Sequence, residues 1–293
     1  MNSTTEVNHE KLMELFGNVF NDVAGSMAIM MSYLGDQTGV YRAMDKLGPA
    51  SVKDIARESN VDERYLLEWL SSNSGRGYVT YHDDEEKFSL SPEQAAVFAR
   101  ENEPTCIQGL VQGVVGQFVK EDVAVDVFQT GRGRPWGEHH ECCFCGTERF
   151  FRPAYAGHLL EEWIPAMEGV EEKLKKGAKV ADIGCGLGTS SMLMAEQYPN
   201  STIHAFDFHE PSIEEAKKRA KERGLSNLEF FVSDAAAIPK ESYDLACIFD
   251  AWHDMGDPVG VAKSIKDKLA DDGTFMVVEP MALDGLKNNI DNN

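Results

Sequence analysis

The amino-acid sequence predicts an α/β fold. A doubly wound parallel sheet forms the C-terminal part, and a mainly helical domain precedes it. Three observations carry this. From Lys179 onward, short runs rich in β-branched and aromatic residues alternate with segments of helical periodicity, the pattern of a parallel sheet covered on both faces. A glycine-rich turn, with Gly184, Gly186 and Gly188, separates the first run from the first helical segment. Acidic residues Asp182, Asp207 and Asp234 lie at or near the ends of the first three runs, where doubly wound sheets bind ligands.

The elements follow in order. LFGNVFNDVAGSMAIMMSYLGDQTGVYRAM is apolar at helical spacing and contains small residues, which suits a buried or dimer-packing helix pair. Met27, Met30 and Met31 belong to that core or interface rather than to a substrate surface. Ser51 is an N-cap for the next short helix, SVKDIARESN. VDERYLLEWLSSN follows, and YVTYHDDEEKFSLS gives two β-rich runs around a charged turn. Helix, turn, helix, hairpin is the order of a winged helix, placed at residues 1–100. Residues 101–178 read as a helical linker. QGLVQGVVGQFVKEDVAVDVFQTG makes one or two helices, GRGRPWGEHHECCFCG a loop punctuated by Gly and Pro, and FRPAYAGHLLEEWIPAMEGVEEKLKKG a helix broken at Pro165. The sheet domain occupies 179–293. Its strands are KVADIG, STIHAFDF, LEFFVSD, YDLACIFDA and TFMVVEP, and its helices are SSMLMAEQY, EPSIEEAKKRAKERG and PVGVAKSIKDKLA.

Composition narrows the function. The 293 residues carry a net charge of −21 and are 42% hydrophobic. The acidity is spread over the chain, at −7 for residues 1–100, −6 for 101–170 and −8 for 171–293. A partner that neutralises phosphates needs a basic footprint, so nucleic acid and an anionic membrane are not expected. The N-terminus lacks a signal-peptide pattern, and the apolar run AGSMAIMMSYLG is too short to span a bilayer. A cytoplasmic protein with mostly reduced cysteines is expected.

The turn VADIGCGLGTSS selects between two ligand classes. A dinucleotide site wants a third glycine at position 189, which is Thr189 here. Asp182, two residues before Gly184, would repel a pyrophosphate and suit a cation. S-adenosylmethionine carries an ammonium and a sulfonium and no phosphate. Asp207, 25 residues after Asp182, is placed to take both ribose hydroxyls, and Asp234 in VSDAA to accept from the adenine amino group.

With these segments in this order, residues 179–280 resemble the class I S-adenosylmethionine-dependent methyltransferases. The winged-helix-like unit extends the resemblance to the small-molecule O-methyltransferases of plants and bacteria, and to a bacterial-type subgroup with a run like GRGRPW. The resemblance implies S-adenosyl-L-methionine as cofactor and a small-molecule acceptor, with a hydroxyl as the methylated group. It implies His253, in WHDM, as general base. Phe208 and Ala235 would stand beside Asp207 and Asp234, and Asp250 near the methionine ammonium. Trp252 lines the pocket or packs. Asp254 orients the imidazole or caps the following helix. The N-terminal domain would form a homodimer and not bind DNA, in keeping with the four consecutive carboxylates of HDDEEK. The linker would border the acceptor pocket, and with it Cys142, Cys143 and Cys145. These three have no second cysteine pair to complete a zinc site, so no metal is expected. Only MALDGLKNNIDNN follows the fifth strand, so the family's closing two-strand hairpin is expected to be missing and the core to be C-terminally incomplete. Two alternatives stay open: a ligand-sensing winged-helix transcription regulator, and a cofactor-binding pseudoenzyme.

Overall fold

The computed structural model describes residues 7–290. The chain forms two compact units, Met1–Phe150 and Phe151–Asn293.

The N-terminal unit opens with α1 (His9–Gln37), capped by Asn8, whose side chain accepts from the Lys11 N–H at 3.0 Å. Then come α2 (Val40–Leu47), α3 (Val52–Ser59) and α4 (Glu63–Gly75). Ser51 caps α3 as its sequence position predicts, accepting from the Asp54 N–H at 3.2 Å. The wing is the antiparallel hairpin β1 (Thr80–His82) and β2 (Lys87–Ser89), followed by α5 (Pro92–Phe98). Tyr41, Met44, Ile55 and Leu70 are fully buried between these elements. The Tyr41 ring stacks on Phe98 at 5.0 Å and meets Trp69 edge-on at 4.9 Å.

Two helices, α6 (Gln108–Val119) and α7 (Glu121–Thr130), come next. HHECCFCG departs from the expected loop, because α8 (Glu141–Ala154) contains all three cysteines. The glycines explain the difference. A Cβ on Gly146 would lie 2.5 Å from the Gly113 nitrogen, and one on Gly109 would lie 2.4 Å from the Phe150 nitrogen. Glycine here lets the backbones of α6 and α8 touch, rather than marking a turn. Arg149 of α8 fixes the same region. Its side chain is 16% exposed, and it pairs with buried Asp36 at 2.9 Å and with Glu101 at 2.5 Å.

In the C-terminal unit a π-helical stretch, Tyr155–Trp163, continues the chain and ends just before Pro165, where the sequence predicts a break. After α9 (Val170–Lys176) the alternation begins: β3 (Lys179–Ile183), α10 (Thr189–Gln197), β4 (Thr202–Asp207), α11 (Glu210–Glu222), β5 (Leu228–Val232), β6 (Tyr243–Phe249), α12 (Pro258–Lys266) and β7 (Leu269–Val278). A short α13 (Leu286–Asn289) follows. Among the described residues the sheet has five strands, all parallel, in the order β5-β4-β3-β6-β7. The order reverses between β3 and β6, so the C-terminal ends of β3, β4 and β6 form the crevice where such sheets hold ligands.

Candidate active site

The β3–α10 turn is built by three glycines with positive φ: Gly184 (74°), Gly186 (52°) and Gly188 (77°). Their surroundings differ. A Cβ on Gly188 would meet the Phe230 ring at 2.7 Å, and one on Gly184 would meet the Ala251 methyl at 2.8 Å. A Cβ on Gly186 would meet nothing within 4 Å. Two of the glycines allow tight packing, and the third borders open space.

Asp182 is fully buried. Ser190 and Ser191, in the first turn of α10, both donate to its Oδ2, at 2.6 and 2.5 Å. Its Oδ1 is buried with no partner among the described residues. Burial pushes its pKa up to about 6, against the two serine hydrogen bonds. Asp207 ends β4 as predicted. Its Oδ2 accepts from the Gly186 N–H at 2.9 Å and its Oδ1 from the His209 N–H at 2.8 Å, which ties the glycine turn to the neighbouring strand. A carboxylate has about four acceptor positions, so both oxygens can still take ligand hydroxyls. Burial raises the Asp207 pKa above the usual carboxylate value. Phe208 follows and is exposed.

Asp234 does not end a strand. β5 stops at Val232, and Asp234 caps the short 3-10 turn Ala235–Ala237, accepting from the Ala236 N–H at 2.8 Å. Asp and Asn favour such caps because their side chains compete for nearby backbone N–H groups.

Asp250 follows β6 with φ 50°, a strained backbone for a non-glycine residue. Its Oδ2 accepts a 2.7 Å hydrogen bond from the Tyr155 hydroxyl. Tyr155 comes from the π-helical stretch and packs against Phe249 and Trp163. Burial raises the pKa of both groups, so Tyr155 keeps its proton.

His253 lies in the 3-10 turn Trp252–Asp254, and Glu279 follows β7. Nδ1 of His253 makes a short contact with Glu279 Oε2. Glu279 Oε1 accepts from the Ala251 and Trp252 N–H groups at 3.1 and 2.7 Å. The carboxylate can only accept, so the proton sits on Nδ1 and the Nε2 lone pair is left for other work. Glu279, foremost through its hydrogen bond, raises the His253 pKa. Asp254 lies 3.7 Å from Nε2, and the helix cap is Asp257 instead, which accepts from the Gly260 N–H. Trp252 is fixed by donating its indole N–H to the Pro258 carbonyl at 3.0 Å. A groove of about 570 Å³ runs along His253, Glu279, Trp252, Pro258 and Met281.

Tyr155 and Glu279 were missed by the sequence reading. The only signal for Glu279 was an acid closing the fifth apolar run. Nothing in the sequence tied Tyr155 to Asp250. Two of the cysteines have partners within the N-terminal unit. Cys142 Sγ faces the Tyr33 hydroxyl at 3.6 Å, and Cys143 Sγ the Gly113 carbonyl at 3.7 Å.

Residues 174–293 match the family model described as a methyltransferase domain, and residues 25–100 match that of the Rv2258c-like winged HTH domain. The structure of mitomycin 7-O-methyltransferase MmcR aligns with 95% of this chain and 84% of its own, at TM-score 0.69 and 15% identity. Human N-acetylserotonin methyltransferase, solved in complex with S-adenosylmethionine, aligns with 94% of this chain and 81% of its own, at TM-score 0.63 and 16% identity. At such identities the likeness is one of fold. Aklanonic acid methyltransferase DauC of Streptomyces sp. (strain C5) is 34% identical over 108 residues, 36% of this chain and 49% of that protein. The chain spans about half or less of the length of the curated relatives it matches.

The fold is that of a class I S-adenosylmethionine-dependent methyltransferase. Residues 174–293 are thus similar to methyltransferase domains, and residues 25–100 to winged-helix domains of the Rv2258c-like kind. Its crevice fits a cationic cofactor on its own terms. Asp182 leaves one buried oxygen unpaired, Gly186 leaves space beside the turn, and the strand ends carry carboxylates.

Proposed function

We propose that the protein transfers a methyl group from S-adenosylmethionine to a hydroxyl of a small-molecule acceptor, with His253 as general base. The supporting observation is the His253–Glu279 pair, which leaves Nε2 as a proton acceptor beside an open groove. The cofactor supplies a methyl group activated on a sulfonium. On this reading Asp207 accepts from the ribose hydroxyls, Asp234 from the adenine amino group, and Phe208 and Ala235 flank the base. Gly184, Gly186 and Gly188 present the backbone of the turn. Asp182 and Asp250 hold negative charge for the methionine ammonium, and Tyr155 fixes the direction of Asp250. Glu279 holds the imidazole tautomer, so that Nε2 takes the acceptor's proton as the new bond forms. Trp252 and Met281 line the groove with apolar surface. Association into a homodimer through α1 completes the proposal.

Titration calorimetry with S-adenosylmethionine tests the cofactor half. Mass spectrometry of a metabolite extract, seeking a cofactor-dependent gain of one methylene, tests transfer. With an acceptor in hand, His253→Ala should lower kcat by about 10²–10⁴-fold and leave cofactor affinity unchanged. Absence of binding removes the enzyme reading, and unchanged turnover in the variant removes the base.

A further inference from the structure

We propose that Arg134 anchors a binding site for a small-molecule carboxylate within the N-terminal unit, a site that does not depend on the methyl-transfer reading. Arg134 lies in the run GRGRPW, between α7 and the 3-10 turn Trp136–Glu138. Its Nη1 donates to Gln117 Oε1 at 3.2 Å. Its Nε and Nη2 are both buried, and neither has a hydrogen-bond partner among the described residues. Arg134 itself is partly exposed, but two buried N–H donors left unmatched are unfavourable unless something supplies the acceptors.

The unpaired atoms are adjacent, on one edge of the guanidinium. That edge is the one with which arginine grips a carboxylate in a two-pronged bond. The same unit shows the pattern twice. Arg100 uses Nε and Nη2 on the two oxygens of Asp45, at 3.1 and 2.9 Å. Arg149 uses Nε and Nη2 on the two oxygens of Glu101, at 2.5 and 2.7 Å. Arg134 has this edge and no carboxylate on it. The nearby Glu138 is already held by Arg132, at 3.1 and 2.8 Å.

The environment favours a monoanion on a flat, apolar body. Glu138 and Glu141 stand close by in sequence and would disfavour a dianion such as phosphate. Trp136, two residues on, meets Phe144 edge-on and the His139 ring at a tilt, both at 5.2 Å, so aromatic surface adjoins the run. Gly131 and Gly133 take left-handed φ values of 68° and 78°, and each has open space where a side chain would stand.

The test uses sodium benzoate as probe, with benzamide as its neutral isostere and inorganic phosphate as a second anion, all at constant ionic strength. Calorimetry and thermal unfolding on the full chain should show saturable benzoate binding with a rise in Tm. Benzamide should give no response, and phosphate a much weaker one. Arg134→Gln and Arg134→Lys should each weaken benzoate binding by roughly tenfold or more, the lysine because it keeps the charge without the fork. Circular dichroism confirms that both variants fold. No benzoate binding, an equal response to benzamide or phosphate, or binding unchanged in folded Arg134→Gln would overturn the proposal. If the guanidinium is simply strained, Arg134→Gln raises Tm while no carboxylate binds the parent protein.

Discussion

Glu279 sets what His253 can do. A carboxylate on Nδ1 fixes the tautomer, and its hydrogen bond raises the imidazole pKa above the ordinary value of about 6.5. A general base must be neutral, so turnover should fall as pH drops through this raised value. Glu279→Gln keeps the shape and removes the charge. Its pH–rate profile should therefore shift to lower pH, with a lower plateau, because an amide can present either face to Nδ1. The linkage runs the same way. A histidine whose folded pKa is raised contributes stability that is full below its unfolded pKa and is lost as pH rises through the folded one. The Tm gap between parent and Glu279→Gln should be widest near about pH 6 and narrow towards about pH 9. Coincident pH–rate profiles for the two proteins would remove the coupling. This part of the site was only half legible. His253 sits in a recognisable run after the fourth strand, whereas Glu279 is 26 residues and a helix away and Tyr155 is 95 residues from Asp250. No local period links such pairs. The pairing of β6 with β7 brings the first pair together, and the packing of the π-helical stretch on the sheet the second.

The β3–α10 turn separates fold from ligand in a testable way. Gly188→Ala would drive a methyl group into Phe230, so it should lower Tm by several degrees and weaken the cofactor through the damaged turn. Gly186→Ala meets no side chain, so its stability cost should be only the ~1–2 kcal/mol of a left-handed alanine. If Gly186 faces the cofactor, calorimetry should show a much larger loss of S-adenosylmethionine affinity than of Tm. A folded Gly186→Ala that binds normally would place the cofactor elsewhere. Glycine also marks the limit of what the sequence revealed about the fold. The five strands were legible because buried parallel strands are continuous apolar runs, and Val180, Ile203 and Leu245 are fully buried. The α8 helix was not legible. Gly146 looked like loop punctuation, and its real cause is the close approach of α6, a contact between segments more than 30 residues apart. Asp234 was misplaced by two residues for a local reason, since its side chain caps the backbone that the strand pattern seemed to continue.

At the scale of the whole molecule, charge and apolar surface point in different directions. A net charge of −21 keeps phosphates away, and the helix α4 carries Glu63 and Glu68 beside Arg64. The apolar surface is concentrated on α1. Leu12, Phe16, Val19, Val23, Met27 and Met30 recur at spacings of three and four, and all are exposed, Phe16 and Met27 by 60% and 61%. Phe20, beside this row, is exposed by 63%. A stripe of this period on a helix about 44 Å long has the spacing of a coiled-coil seam. In the proposed homodimer, a second copy of the same helix would cover this row, matching it in length and spacing. Light scattering after size exclusion should therefore give twice the 32.5 kDa chain mass. Phe16→Glu with Phe20→Glu should return the chain mass alone, because like charges would face each other across the two-fold axis. Both residues lie in the N-terminal unit and the cofactor turn in the C-terminal one, so the variant's calorimetric affinity for S-adenosylmethionine should match the parent's. A parent protein that runs as a monomer at micromolar concentration would overturn the dimer. A variant that stays dimeric would move the contact off α1.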